Sequence, residues 1–145
     1  MRHLSDAVTL RSASASDAEK IPWLKEVSMK TYAETLWGAW HPSDTTATLD
    51  FSTLEMIDRN GEAIGYIATR QAPDALHLSR LNLAPAARKQ GVGSLVLQEV
   101  VGRVETLPCP VRLRVLTNNP ALRFYTRQGF RTERETREHI YMIQD

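Results

Sequence analysis

A basic, glycine-containing turn stands between a predicted strand and a predicted helix in the second half of the sequence. The turn reads RKQGVG over residues 88–93; it follows the apolar segment LNLAP and precedes SLVLQEVV, whose apolar residues have helical spacing. Gly91 and Gly93 allow tight backbone angles and a close approach to a ligand. The unpaired N–H groups at the start of a helix point towards negative charge. The turn therefore predicts an anion-binding site that suits a pyrophosphate.

Two better-known phosphate-binding loops do not match this turn. The dinucleotide-binding fingerprint requires a third glycine where Val96 stands, and the P-loop requires a Gly-Lys-Ser/Thr sequence that the turn lacks. A Gly-x-Gly pair at the start of a helix also occurs in turns that bind no ligand. The turn alone therefore leaves a plain glycine-rich turn as an alternative.

A second motif follows the next predicted strand, the alternating segment VRLRV. From Val115 the sequence reads V-x-x-N-x-x-A-x-x-x-Y-x-x-x-G-F, which places Asn118, Tyr125 and Gly129 at fixed spacings. The turn and this second motif, in this order, resemble the two motifs of the GNAT superfamily of acetyl-CoA-dependent N-acetyltransferases. The order of the predicted elements agrees with that superfamily over nearly the whole chain.

The resemblance implies a fold class and a domain organisation. It implies one α/β domain over residues 1–145, with a mixed, mostly antiparallel sheet of about six to seven strands and about four flanking helices. In the superfamily the strand before the coenzyme loop carries a bulge and parts from the next strand, so the central strands splay around a cleft. The segment LHLSRLNL is consistent with such a bulge, because its leucines change phase near Ser79 and Arg80.

The resemblance also implies acetyl-CoA as the co-substrate and no metal. In the superfamily the backbone amides that follow the arginine of the turn bind the coenzyme's pyrophosphate, and the cleft holds its pantetheine arm. Asn118 is expected to hold that arm, although a plain helix cap would explain the same residue. The expected coenzyme-binding residues are Leu81, Asn82, Leu83, Arg88, Lys89, Gln90, Gly91, Val92, Gly93, Ser94, Asn118, Ala121 and Phe124.

Three residues are candidates for acid–base catalysis. Acetyl transfer to an amine requires a neutral nucleophile, and a lysine-like amine is protonated at neutral pH because its pKa is about 10.4. By resemblance, Tyr125 is the general acid; the alternative is a tyrosine of the core. The superfamily does not fix the general base, and the candidates are Glu34 and His139. The alternatives for these two are a surface carboxylate and a solvent-facing histidine.

An aromatic cluster precedes both motifs. Tyr32, Trp37 and Trp40 lie in the early segment that lines the acceptor pocket in the superfamily. Aromatic rings bind cationic amines through cation–π contacts. The same rings would equally serve to pack the early helices onto the sheet. We therefore expect an amine acceptor, whose identity the sequence leaves open.

Local signals position these residues on helices, strands and turns. The S-x-x-E sequence from Ser16 to Glu19 predicts the start of a helix that runs to about Lys30. A short second helix is predicted to break near Gly38. The Asn-Gly dipeptide at positions 60–61, between two apolar segments, predicts a β-hairpin.

The composition has no charged or apolar extreme. The apolar fraction is 42%, the charged fraction is 24% and the net charge is +1, so bulk charge favours neither nucleic acid nor an acidic membrane as a partner. No apolar run reaches the roughly 18 residues of a membrane span, and the single Cys109 excludes an internal disulfide. We expect a cytoplasmic protein, and family habit alone suggests a homodimer.

Two functions remain open at this stage. The first is N-acetyltransferase activity towards a primary amine, which could be a small molecule, an amino acid, a polyamine or a peptide N-terminus. The second is a catalytically silent acyl-CoA-binding or regulatory domain of the same fold, because a fold does not fix a function. The presence of Tyr125 favours the first.

Overall fold

A mixed sheet of eight strands forms the centre of the fold. The computed structural model describes residues 1–38, 50–105 and 109–145. The strands are β1 Arg2–His3, β2 Val8–Ser12, β3 Leu54–Arg59, β4 Glu62–Gln71, β5 Leu76–Leu83, β6 Val111–Leu116, β7 Arg131–Glu135 and β8 His139–Gln144. The helices are α1 Lys20–Trp37, α2 Val92–Gly102 and α3 Ala121–Arg127. None of these helices is long and apolar enough to cross a membrane.

The strands lie in the order β1-β2-β3-β4-β5-β6-β8-β7. β5 and β6 pair in parallel, and the other neighbouring strands pair antiparallel. The predicted fold class, a mixed and mostly antiparallel α/β sheet, is confirmed. The counts differ slightly: eight strands replace the expected six to seven, and the described residues contain three α-helices instead of about four. One additional strand is β1, which pairs with β2 next to the N-terminus.

Helix α1 is longer than the sequence predicted. The predicted helix to Lys30 and the predicted short second helix form one continuous element from Lys20 to Trp37. Beyond its first turn, α1 contains neither glycine nor proline, so nothing in the sequence interrupts it. Gly38 ends α1 in the left-handed region at φ 79°, and its N–H donates to the Glu34 carbonyl oxygen at 2.8 Å. The predicted break at Gly38 is therefore confirmed.

The start of this region differs from the predicted capping box. Asp17, and not Glu19, closes the turn: its carboxylate accepts the Ser14 backbone N–H at 3.0 Å. Asp17 also accepts two hydrogen bonds of 2.9 Å from the Arg11 guanidinium. The Ser16 hydroxyl contacts the Ser14 hydroxyl instead of the first turn of α1. Arg11 of β2, which lies outside the S-x-x-E pattern, fixes this carboxylate.

Two local predictions about strands are confirmed. Asn60 and Gly61 have φ values of 52° and 83° and join β3 to β4 in a hairpin. In the β4–β5 pair, Ala68 lies opposite Arg80 and Thr69 opposite Leu78, which leaves Ser79 as the extra residue of a bulge. The bulge explains the change of phase of the leucines along β5.

The central strands part, as the resemblance implied. β5 pairs with β6 only at Leu76–Val111 and His77–Arg112. Beyond these two pairs, β6 continues to Leu116 in register with β8, and β5 continues to Leu83 in register with β4. A cleft therefore opens between the carboxyl ends of two neighbouring parallel strands.

Apolar layers cover both faces of the sheet. On one face, which we call the α2/α3 face, side chains of α2 and α3 pack against alternate residues of β6, namely Val111, Leu113 and Val115. On the other face, the α1 face, Ile21 and Leu24 pack against β3 and β4. Side chains alternate along a strand, so Arg112 and Arg114 point to the α1 face.

Candidate active site

The loop between β5 and α2 presents a row of free backbone amides. Lys89 and Gly91 have φ values of 61° and 81°, and Gly91 is the N-cap of α2. In the described part of the chain, no backbone or side-chain acceptor takes the N–H groups of residues 89–94. Such amides at the start of a helix bind anions. The backbone amides of Lys89, Gln90, Gly91, Val92, Gly93 and Ser94 are therefore free, and they are the candidates for the predicted anion site.

Arg88 anchors this loop. Its Nε donates to the carbonyl oxygen of Leu83 and its Nη2 to the carbonyl oxygen of Val27, both at 3.3 Å. The half-buried guanidinium thus ties the loop to β5 and α1. Arg88 holds the amides in position by means of two protein carbonyls.

The first turn of α2 packs closely against α3. A Cβ atom on Gly93 would lie 3.3 Å from Cζ of Phe124 and 3.8 Å from Cδ1 of Leu83, so glycine allows this contact. The Ser94 hydroxyl donates to Gln128 Oε1 at 3.3 Å just after α3. The half-buried apolar residues of the predicted coenzyme set all pack on the α2/α3 face: Leu81, Leu83, Ala121 and Phe124.

The open edge of β5 lines the cleft. Beyond His77, this edge has no strand partner in the part of the chain that the structure describes. The side chain of Asn82 points away from the α2/α3 face and donates to the buried hydroxyl of Tyr66 at 2.9 Å. Asn82 therefore contributes backbone, not its amide, to the cleft.

Asn118 lies just past β6, across the cleft. Its Nδ2 donates to the Tyr32 carbonyl oxygen at 3.2 Å. Its Oδ1 is buried and accepts no hydrogen bond from any described residue. Asn119, which precedes the N-cap Pro120 of α3, accepts the Ala121 N–H with its Oδ1 at 2.9 Å. The capping role considered for Asn118 thus belongs to its neighbour, and the Asn118 oxygen is left to accept a donor from elsewhere.

Tyr125 is buried on α3. The ring contacts Phe124 and Phe130 edge-on, at centroid distances of 5.2 and 5.8 Å. Burial raises the pKa of Tyr125 above its usual value. Among the described residues, the hydroxyl has no hydrogen-bond partner. The phenol is therefore neutral at physiological pH and holds a proton that none of the described residues accepts.

His139 lies at the start of β8, on the α1 face. Its half-buried ring lies 6.3 Å from the ring of Trp37 and 6.1 Å from that of Tyr141, between centroids. Burial lowers the pKa of His139, and Arg114 lowers it further, while Glu138 raises it. The imidazole is therefore mainly neutral at pH 7, so it can accept a proton.

The other predicted acceptor and base residues are only partly assembled. Tyr32 is half-buried and reaches Asn118 through its carbonyl oxygen. Trp37 is 48% exposed and contacts His139. Glu34 is exposed, with its carboxylate 3.9 Å from the Lys30 ammonium. Trp40 lies outside the described residues. The structure thus brings Trp37 and His139 together, while the carboxylate of Glu34 lies beside Lys30.

Residues 14–130 match a sequence model described as "Acetyltransferase (GNAT) family". The match covers more than half of the chain and includes both the anion-binding loop and Tyr125. The chain belongs to the GNAT family.

Solved structures share the GNAT fold of this chain at low sequence identity. The PaiA N-acetyltransferase from Thermoplasma acidophilum, in complex with coenzyme A, is 19% identical with a TM-score of 0.75, covering 96% of this chain and 99% of its own. Naa50 from Arabidopsis thaliana, with the bisubstrate analogue CoA-Ac-MVNAL, is 20% identical with a TM-score of 0.73 and the same coverages. The ribosomal-protein-S18-alanine N-acetyltransferase from Escherichia coli is 18% identical with a TM-score of 0.70, covering 94% and 92%.

Acetyl-CoA is the co-substrate of GNAT enzymes, and the site of this GNAT protein fits it. The free amides of residues 89–94 suit the pyrophosphate, and the open edge of β5 suits the amide groups of the pantetheine arm. The buried Oδ1 of Asn118 lacks a donor, which an amide N–H of that arm would supply. Within the described residues, no group of three or more His, Cys, Asp or Glu side chains is placed to hold a metal ion.

Two arginines near the GNAT site were missed by sequence reasoning. Arg59, at the end of β3, donates to Oε1 of Gln90 in the coenzyme loop. Arg114 lies close enough to His139 to lower its pKa. Neither residue belongs to a motif. The alternation of VRLRV indicated only that Arg114 faces away from the apolar layer, because its neighbours depend on which strand pairs with β6.

Proposed function

We propose that this GNAT protein is an N-acetyltransferase that moves the acetyl group of acetyl-CoA directly to a primary amine. One observation carries the proposal. The neutral phenol of Tyr125 and the neutral imidazole of His139 lie on opposite faces of the sheet, beside the cleft. Tyr125 packs in the α2/α3 layer. Ile140 packs in that same layer, so the adjacent His139 points to the α1 face.

Tyr125 would serve as the proton donor. Bound acetyl-CoA supplies an acetyl group activated as a thioester. The departing sulfur requires one proton, and the buried hydroxyl of Tyr125 keeps its proton because burial raises the pKa. The absence of a competing acceptor among the described residues leaves that proton available.

His139 would serve as the proton acceptor. A protonated amine has no lone pair for attack, so one proton must leave it first. The lowered pKa keeps His139 neutral at pH 7 and ready to take that proton. The N–C bond then forms as the C–S bond breaks, and Tyr125 gives its proton to the sulfur. The nitrogen loses its second proton as the amide forms, and this proton restores the phenol of Tyr125. His139 releases the first proton to solvent.

The test has two parts, coenzyme binding and turnover. Calorimetric titration with acetyl-CoA, with NAD and ATP as controls, should give saturable binding of acetyl-CoA alone. A panel of amines is then assayed for release of free thiol from acetyl-CoA. Thiol release above the rate without amine supports the acetyltransferase. Tight coenzyme binding with no release by any amine would favour the alternative, a catalytically silent acyl-CoA-binding domain.

A further inference from the structure

The C-terminal strands carry rows of side chains on the α1 face. In one row, Arg114 of β6, Tyr141 of β8 and Arg134 of β7 lie opposite one another. The Arg134 guanidinium carbon lies 4.1 Å from the centroid of the Tyr141 ring. Both arginines are exposed. We call these three residues the Tyr141 row.

The next row shows what an ordinary structural arginine does on this surface. It contains Arg112 and Arg131 on either side of Ile143. Arg112 pairs with Asp74 at 2.8 Å and with Glu133 at 3.2 Å. Arg131 pairs with Asp145 at 2.8 Å. Both arginines of this row are therefore neutralised by carboxylates of the protein.

The arginines of the Tyr141 row have no such partner. Neither Arg114 nor Arg134 forms an ion pair with any described residue. On β7, Glu135 lies opposite Ile140 and so points to the other face of the sheet. Among the described residues, two positive charges therefore lack an ion-pair partner on either side of one aromatic ring.

The Tyr141 row lies beside the candidate base and the cleft. Arg114 comes after the last β5–β6 pair, at Arg112, so it sits on the stretch of β6 that borders the open cleft. Tyr141 and His139 are on the same face of β8, with ring centroids 6.1 Å apart. A group held by this row would bring an attached amine close to His139.

We propose that Arg114 and Arg134 bind a carboxylate carried by the amine acceptor, so that the acceptor is a small aminocarboxylate. The inference rests on the proposed acetyltransferase function. Guanidinium groups pair with carboxylates through two parallel hydrogen bonds, and stacking of Arg134 on Tyr141 leaves the edge of its guanidinium free for such a pair. The same charges repel a polyamine, which has no carboxylate.

The test measures carboxylate binding without turnover. The probes are N-acetylated alanine, leucine and glutamine, each as the free acid and as the carboxamide, because these mimic products with and without the carboxylate. Binding is followed by the NMR resonance of the His139 ring at constant ionic strength, assigned with His139→Gln. At least one free acid should shift this resonance saturably and bind about tenfold tighter than its carboxamide.

Matched variants locate the interaction. Arg114→Gln should abolish the preference for the acid, while Arg131→Gln, which removes an exposed and ion-paired arginine of the neighbouring row, should retain it. The inference would be overturned if the free acids and the carboxamides bind with equal affinity, or if no free acid shifts the His139 resonance. An acid preference that survives Arg114→Gln would also overturn it. Because these titrations are run without coenzyme, failure of acetyl-CoA binding in calorimetry contradicts the proposed function separately.

Discussion

The rings of Trp37 and His139 lie 6.3 Å apart between centroids, which joins the last residue of α1 to the first residue of β8. These elements are far apart in the sequence, and their contact forms at the end of the sheet where β5 and β6 have parted. Burial of the imidazole lowers the pKa of His139, so a role of this residue in catalysis can be tested through the pH dependence of activity.

His139→Gln should remove a low-pH limb from the activity profile. A general base works in its neutral form, so activity falls as pH drops through its pKa, which for His139 lies below the usual value of about 6.5. The variant should lose about 10²- to 10⁴-fold in kcat/KM at pH 7. The measurement is kcat/KM for one amine between pH 5 and 9 (roughly the range in which histidines titrate).

Glu34→Gln provides the comparison for that profile. Glu34 is exposed and contacts Lys30, so the substitution should leave kcat/KM and the low-pH limb close to those of the wild type. If kcat/KM falls strongly in Glu34→Gln and stays unchanged in His139→Gln, the general base is Glu34 instead.

Tyr125→Phe should slow turnover and leave coenzyme binding intact. The substitution removes only a hydroxyl without a hydrogen-bond partner among the described residues, and the contacts of the ring with Phe124 and Phe130 persist. We expect kcat to fall by about 10²- to 10⁴-fold, with little change in the Kd of acetyl-CoA. Thr126→Ala, an exposed change on the same helix, is the control. Equal rates in Tyr125→Phe and wild type would remove Tyr125 from the mechanism.

Gly91→Val should weaken coenzyme binding. Gly91 has φ 81° at the N-cap of α2, a conformation that costs a β-branched residue about 1–2 kcal/mol, and its neighbouring amides form the anion site. Gly38→Val is the matched control, because Gly38 has φ 79° and its added Cβ also meets no atom within 4 Å. Calorimetry should show a loss of acetyl-CoA affinity in Gly91→Val and not in Gly38→Val. Similar affinities in the two variants would contradict the assignment of this loop to coenzyme binding.

Asp17→Asn should destabilise the protein in a pH-dependent manner. The Arg11 guanidinium holds the pKa of Asp17 below its usual value, so this carboxylate contributes stability above about pH 3.8, and the contribution is lost as pH falls through the lower folded-state pKa. Urea unfolding at pH 7 should show a loss of about 1.5–3 kcal/mol. The difference in free energy of unfolding between Asp17→Asn and the wild type should shrink near pH 3. Asp6→Asn, a change at an exposed residue, should show no such difference at either pH. A difference independent of pH would show that the charge on Asp17 is not the cause.

Features that depend on neighbouring residues could be predicted from the sequence. The Asn60-Gly61 hairpin requires two positive φ angles, which these residues adopt readily. The bulge at Ser79 follows from a change of phase within one strand. The anion-binding loop follows from glycine at the start of a helix. In each case, the physical cause lies within a few residues of the feature; for the loop, the structure shows the free amides, and anion binding by them stays a prediction.

Features that depend on contacts between elements could not be predicted. The predicted capping box was wrong, because Arg11 of β2 fixes Asp17, and Asp17 closes the turn in place of Glu19. The length of α1 was underestimated, because the sequence predicted two helices where one helix runs from Lys20 to Trp37. The neighbours of Arg114 follow from the pairing of β6 with β8, which places Arg114 opposite Tyr141 and near His139. The order of the strands, and not the local sequence pattern, brings Arg114, Tyr141 and His139 together.

The parting of β5 and β6 divides the sheet into two mechanical blocks, one of five strands and one of three, fastened at Leu76–Val111 and His77–Arg112. A ligand that hydrogen-bonded to both blocks across this gap would act as a temporary ninth strand between them. Occupancy should therefore stiffen the whole protein, and amide hydrogen exchange should slow in β6 and β8 as well as in β5. The coenzyme is then a structural part of the sheet for as long as it stays bound.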